Sequence, residues 1–389
     1  MRMTLFAYGF RPFFLLAGVA ALLLVPLWAL HVLEAVPLAV RWPASLWHGH
    51  EMLFGFIMSA IAGFMLTAVP SWTGQPGFSG RPLIVLASLW LAARVMIATA
   101  ARWPAFATAV IDLAFLPVLA GLLAWPLLRA RNRNTPLLLA LGALWLCNLA
   151  FHRALLAGHA AQASHALEIG VDLVLVMVTM IGGRIVPAFT ASALRLVGRA
   201  GSVANRPWIG ALTLLSMVLV TLGDLAQVGP RSAGGLAALA AMLQSVRLLQ
   251  WGGIHTTRQP IVWILHVAYA WLPIGLALKA LALLAGSAVG AFWLHALTVG
   301  ALSTMILAVM TRASLGHTGR VLKVDPLISF AYLLLSAAAV IRVWGLPVLG
   351  MSYPIAIATA AALWTAAFGL FVAIYAPILC SPRADGKPG

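Results

Sequence analysis

Acidic residues are scarce in this chain. Its 389 residues include 8 aspartates and glutamates against 24 lysines and arginines, and charged residues of both signs make up only 8%. A soluble globular domain carries about 25%, so a water-soluble fold is excluded. Cysteine is scarcer still, with two, Cys147 and Cys380. No CxxC or CxxCH occurs, which leaves a covalent c-type haem and a paired-cysteine redox motif unsupported. The apolar runs are continuous rather than alternating, which argues against a transmembrane β-barrel. No small-residue cleavage site follows the first apolar run after Arg11-Pro12, so that run is expected to stay as a first helix rather than leave as a signal peptide. Any metal would be held mainly by histidine.

What is present is apolar length. Hydrophobic residues make up 63% of the chain. Runs of about 20 residues recur along it, each long enough to cross roughly 30 Å of hydrocarbon. They start near residues 13, 47, 82, 105, 136, 165, 207, 233, 260, 290, 326 and 351. The expectation is an all-α polytopic membrane protein of about twelve helices, forming a single transmembrane domain over residues 1–389. Its first partner is the lipid bilayer. The net charge of +16 suggests nucleic acid, but its placement does not. Arg2, Arg11, Arg129, Arg131, Arg133, Arg199, Arg206, Arg258, Arg320 and Lys323 fall at the N-terminus or in even-numbered connections. By the positive-inside rule both termini are cytoplasmic. The charge is a topology signal, and no nucleic-acid partner is expected.

One pattern recurs: His, four residues, Gly, nine residues, Met. It occurs as His50–Gly55–Met65, His165–Gly170–Met180 and His295–Gly300–Met310. The last two open alike, HALEIG against HALTVG. Pro12, Pro136 and Pro260 are spaced by 124 residues and open helices 1, 5 and 9, and Pro82, Pro207 and Pro326 open helices 3, 7 and 11. Twelve similar helices explain the prolines without a repeat, but explain the threefold His–Gly–Met pattern poorly. The expected organisation is three repeats of four helices, 1–133, 134–258 and 259–389. Helices 2, 6 and 10 would then carry their histidines at similar depths.

The stretch SLWHGHEMLFGF places His48, His50 and Glu51 at the start of a membrane helix. Two residues apart on a helix, His48 and His50 point about 200° from each other, so one helix could serve two centres. Imidazole is the commonest transition-metal ligand and the usual axial ligand of b-type haem. The candidate metal ligands are His48, His50, His165, His295 and His317. The candidate cofactor-binding residues are His48, His50, His266, His295, Arg184 and Arg312, the arginines facing a carboxylate, a haem propionate or an anionic ligand. Glu51 is the candidate catalytic residue, as a proton relay. The competing reading for each histidine is an interfacial or interhelical hydrogen bond, and it is favoured for His31, His152, His159 and His255. Arg94, Asp112, Asp172 and Asp224 lie in or beside helices, where a charge should be paired. Spacing alone does not say with what.

These residues carry a resemblance. YGFRPFFLLAG, WHGHEMLFGF, AGFMLTAVPSWTG, GGRIVPAFT, LHVAYAWLPIGLAL and HALTVGALSTMILAVMTRASLGHTGR, spread from residue 8 to residue 320, are similar to stretches of the NnrS family. The resemblance implies a multi-pass protein of the bacterial inner membrane, containing haem and copper, in denitrification and resistance to nitric oxide. It carries over to His48, His50, Glu51, Arg184, His266, His295, Arg312 and His317. Haem b and copper are the implied cofactors. A distant architectural likeness extends to the catalytic subunits of haem–copper oxidases and nitric oxide reductases, whose ligands come from helices 2, 6, 7 and 10. This chain departs from them: its seventh helix, from Pro207 to Val228, has no histidine. The leading expectation is a nitric oxide reductase-like or detoxifying protein. Its electrons would come from quinol or a cytochrome. The alternatives are a transporter of metal, haem or nitrogen oxide ions, and a non-catalytic nitric oxide sensor or maturation factor.

Overall fold

The computed structural model describes residues 4–37, 40–196, 198 and 203–387. Arg2 and Arg199, used above for topology, lie outside the described residues. Among the described residues there is no strand. Twelve helices are long and apolar enough to cross a membrane. They are α1 (Phe10–Val32), α2 (Ala44–Thr73), α3 (Arg81–Ala98), α4 (Ala105–Arg129), α5 (Pro136–Leu156), α6 (Ala160–Arg195), α7 (Pro207–Leu225), α8 (Pro230–Leu249), α9 (Pro260–Ala285), α10 (Ala288–His317), α11 (Pro326–Trp344) and α12 (Tyr353–Cys380). The sequence-based starts agree within a few residues. Pro136, Pro207, Pro230, Pro260 and Pro326 open their helices. The first turn has no use for the missing N–H, and the fixed φ suits a helix start.

The chain forms two compact units. The first comprises Met1–Gly170, Ala313–Val321 and Phe368–Gly389, and the second Val171–Arg312 and Leu322–Ala367. In the first, α1 packs along α2, and α3, α4 and α5 pack in sequence. Lipid is as apolar as leucine, so helices here are joined by close packing and hydrogen bonds. Ser59 Oγ donates to Phe13 O at 2.9 Å. At Gly63 an added Cβ would lie 2.7 Å from the Phe14 ring, so only glycine lets α1 come this close. Arg11 of α1 is fully buried, and its Nη1 donates to Leu379 O at 2.8 Å and Ser381 O at 2.7 Å. That ties the first helix to the end of the last. In the second unit α9 is the central helix, packed on α8 and on the start of α10. Tyr269, Gln244, Thr179 and Arg247 form one buried network there, with Tyr269 Oη donating to Gln244 Oε1 at 2.5 Å. Lys279 pairs with Asp224.

Two helices are not α-helical throughout. In α2 the segment Glu51–Ile57 is π-helical, and in α10 so is Ala296–Ser303. Each begins one residue after a histidine of the recurring pattern, His50 or His295. Helix α6, which carries His165, is α-helical from Ala160 to Arg195. π-turns concentrate at functional sites.

Candidate metal centre

Antiparallel helices bring the start of α2, the end of α3, the start of α4 and the end of α5 to one end of the first unit. Four of the chain's intramembrane polar side chains meet His50 and Glu51 there. His50 Nε2 lies 3.1 Å from Asp112 Oδ2 and 3.1 Å from Asn148 Oδ1. Its Nδ1 lies 3.1 Å from Glu51 Oε1. His152 Nε2 lies 3.0 Å from the same Asp112 Oδ2, to which Asn148 Nδ2 donates at 2.7 Å. Arg94 closes the ring: Nη1 donates to Glu51 Oε1 at 2.7 Å, and Nη2 donates to Asp112 Oδ1.

The cluster is dry. Exposure runs from 0% at His50 to 4% at His152, and reaches 9% only at Arg94. Its local construction explains how it closes. Asn148 and His152 are four apart on α5, so they share a face. Gly55 sits in the π-segment of α2, where an added Cβ would come within 3.1 Å of Arg94 Nη1. Trp90 Nε1 donates to Gly55 O at 3.1 Å, fixing α3 against that glycine. Aromatic rings shut the other sides: Phe151 stacks on His50 at 4.7 Å, with Trp42 at 5.2 Å and Phe54 at 5.1 Å. A cavity of about 10 Å³, room for one water, touches Arg94, Asp112 and Asn148. A second of about 300 Å³ reaches His152, Trp42, Thr108 and Arg41.

The other sequence-derived candidates are dispersed. His48 turns away from His50 and stacks on Trp28 at 4.3 Å. His165 is half-buried near the start of α6. Arg184 Nε donates to Met180 O within its own helix, at 3.3 Å. Arg312 lies over the Phe189 ring, 3.9 Å from its centre. His295 is half-buried beside Phe292, ring centres 6.3 Å apart. The exposed His317 ring lies against Phe10 at 5.5 Å and Tyr8 at 6.3 Å. His266 of α9 pairs through Nε2 with Thr190 Oγ1 at 2.8 Å, and its Nδ1 is buried with no hydrogen-bond partner. So among these residues only His50 and Glu51 meet in the cluster. Asp112, Asn148, His152 and Arg94 complete it. Sequence reasoning marked Arg94 and Asp112 as charges in need of partners, but not as site residues. The usable signal was Asn148 and His152 on one helical face, in a chain with so few acids to meet them.

Fold and cluster together define a class: a multi-pass helical membrane protein with a buried histidine–carboxylate group between its helices. The chain belongs to the NnrS family, whose model, described as NnrS protein, matches residues 4–383. No curated protein matches the sequence.

The donor set can be tested against the implied cofactors. Two imidazoles and a carboxylate offer ligand atoms within 4.8 Å of one another, which suits an ion. A flat macrocycle finds no open face on the His50 ring, enclosed by Phe151, Trp42 and Phe54. At His266 Nδ1 is buried with no hydrogen-bond partner, and Gly253 packs over the ring: an added Cβ would lie 2.5 Å from Nδ1 and 2.6 Å from Cγ, so that face has no space for a macrocycle.

Proposed function

We propose that this NnrS-family chain acts in nitric oxide metabolism at the bacterial inner membrane, binding nitric oxide and reducing or detoxifying it at a histidine-ligated centre. The observation that carries the reading is the buried His50–Asp112–His152 cluster between apolar helices. Ionisable groups at such depth are costly and are usually kept for function. His50, His152 and Asp112 would hold a metal ion. Haem b would be held elsewhere, by His48 or His295, with Arg184 or Arg312 facing its propionates. Copper could be held by His165 or His317 as well. A bound metal supplies a redox electron and a coordination position for nitric oxide. The chain's own residues exclude water and hold protons: Glu51 faces His50 Nδ1, so a proton between them sits between a carboxylate and an imidazole. Electrons come from a separate donor, quinol or a small cytochrome.

The experiment is a reduced-minus-oxidised spectrum of the full chain in detergent, with a pyridine haemochrome assay and metal analysis, before and after adding nitric oxide. A metal or haem signal that shifts with nitric oxide supports the reading. A folded protein from metal- and haem-replete cells that holds neither sinks it. Transport of metal, haem or nitrogen oxide ions is the second reading. The π-segments of α2 and α10 favour it, because irregular backbone at membrane depth is tolerated where it lines a cavity or is buried in protein. Flux in vesicles of the cofactor-free protein would put it first.

A further inference from the structure

The cluster gathers two imidazole nitrogens and a carboxylate oxygen within 4.8 Å of one another. Arg94 fixes Glu51 and Asp112 in place through one guanidinium. Glu51 Oε1 faces His50 Nδ1, so when His50 is neutral with its hydrogen there, its Nε2 lone pair is free for an ion. That lone pair points at Asp112 Oδ2 and Asn148 Oδ1, each 3.1 Å away. Asn148 already donates its Nδ2 hydrogen to Asp112, so the oxygen that faces His50 is an acceptor. Asp112 Oδ2 is thus the meeting point of His50 Nε2, His152 Nε2 and the Asn148 amide.

We propose that this group binds a non-haem divalent first-row metal, held by His50 Nε2, His152 Nε2 and Asp112 Oδ2. This deepens the reading above and rests on it for the cellular role, but not for the chemistry. The separations suit one ion: bonds of about 2.1 Å at right angles put neighbouring ligands about 3.0 Å apart. His50 and His152 lie 3.1 Å and 3.0 Å from the Asp112 oxygen. The surroundings also have the form that metal sites take. A ligand histidine typically donates its other ring N–H to a carboxylate, which sets the tautomer and the ring angle. Glu51 does this for His50, and Arg94 holds Glu51. Glu51 is on this account a positioning residue for the ion. Two histidines and one carboxylate, with no sulfur, are a set that non-haem iron(II) and zinc(II) sites use, and they do not suit copper(I). The cavity of about 300 Å³ that ends at His152 gives an ion and a small ligand a way in.

The test uses the full-length protein in detergent, stripped with chelator and reloaded with iron(II), or with manganese(II) as a probe read by electron paramagnetic resonance. Metal per chain is measured by mass spectrometry. The expected result is a single ion per chain in the wild type. It is lost in Asp112→Asn and His152→Ala, and kept in His159→Ala, an exposed histidine of the same unit. Glu51→Gln should bind about 10–100-fold more weakly, the usual loss for a group that orients a ligand. Size-exclusion elution and circular dichroism report whether each variant folds. His152→Ala gives the second readout should Asp112→Asn unfold: it should keep its fold and lose the ion. A folded wild type that takes up neither ion, or folded Asp112→Asn and His152→Ala that keep theirs, overturns the proposal. Haem and a nitric oxide response without a non-haem ion would remove this inference alone. An ion without any nitric oxide response would remove the functional reading alone.

Discussion

Arg94 is the residue on which the cluster balances. It touches both carboxylates, and its removal leaves Glu51 and Asp112 buried side by side. Breaking a buried pair from one side costs about 3–5 kcal/mol, because the partner charge is left uncompensated. Arg94→Ala should therefore lower the unfolding midpoint in detergent well beyond Arg94→Lys, which keeps a charge but loses the fork that spans two acids. Equal midpoints for the two variants would show that Arg94 packs rather than pairs. At this scale the sequence was partly readable. His50 and Glu51 stood out because ionisable groups at the head of an apolar run are expensive. Asp112 and Arg94 stood out for the same reason, but pairing is a matter of which helices touch, and that information is not local. His152 was set aside because it lies near a helix end, where an imidazole costs little. Its neighbours, not its depth, make it part of a centre.

At the scale of the helices, the chain's glycines divide into two kinds. An added Cβ at Gly300, in the π-segment of α10, would lie 2.4 Å from the fused edge of the Trp271 indole, a rigid neighbour on α9. At Gly142 on α5 nothing stands within 4 Å. Gly300→Ala should cost about 1–3 kcal/mol through forced repacking. Gly142→Ala should be neutral or slightly stabilising, since alanine is the better helix former by about 1 kcal/mol. Thermal scans of both variants in one detergent check the contrast. Helix positions were highly legible, because twenty apolar residues in a row leave little else to be, and the prolines marked several starts. The π-segments were not legible. A change from one hydrogen-bonding step to the next depends on what packs against the turn, and the apolar pattern runs through it unbroken. They follow His50 and His295 but not His165, a difference the shared His–Gly–Met spacing does not disclose.

For the whole molecule, the twelve candidate spans among the described residues and the placement of the basic connections lead us to propose that both ends face the cytoplasm. Reporter fusions at Val36 and at Lys387 should therefore score oppositely, with the second cytoplasmic. The tail offers a pH test. Arg383 donates to both oxygens of Asp385 at 2.9 and 2.6 Å, and through Nη1 to His317 O at 2.8 Å. Hydrogen bonds from Arg383 hold the Asp385 carboxyl well below the usual carboxylate range. Its contribution is thus fully present above the ordinary aspartate value of about 3.9, and is lost only as pH falls through the lower folded value. A fluorophore on the exposed Cys380, with Cys147 buried, should report a docked tail down to pH of about 4. In Arg383→Ala the same probe should report a looser tail at every pH, with no step in acid, because the partner cation is gone. The effect is small, because the pair is exposed and screened.

The bond between Arg11 and the carbonyls of Leu379 and Ser381 has a consequence for biogenesis. Its two halves leave the ribosome 368 and 370 residues apart. At the usual ~5–20 residues per second, those acceptors do not exist for roughly 20–70 s after Arg11 has been made. The first helix therefore enters the bilayer before its guanidinium can reach its final seat, and the arginine must be met by water, lipid headgroups or the insertion machinery until translation ends. Completion of the chain is then a chemical event for its beginning, and a nascent protein stopped short of Leu379 should be held differently by the quality-control proteases of the membrane than one released a few residues later.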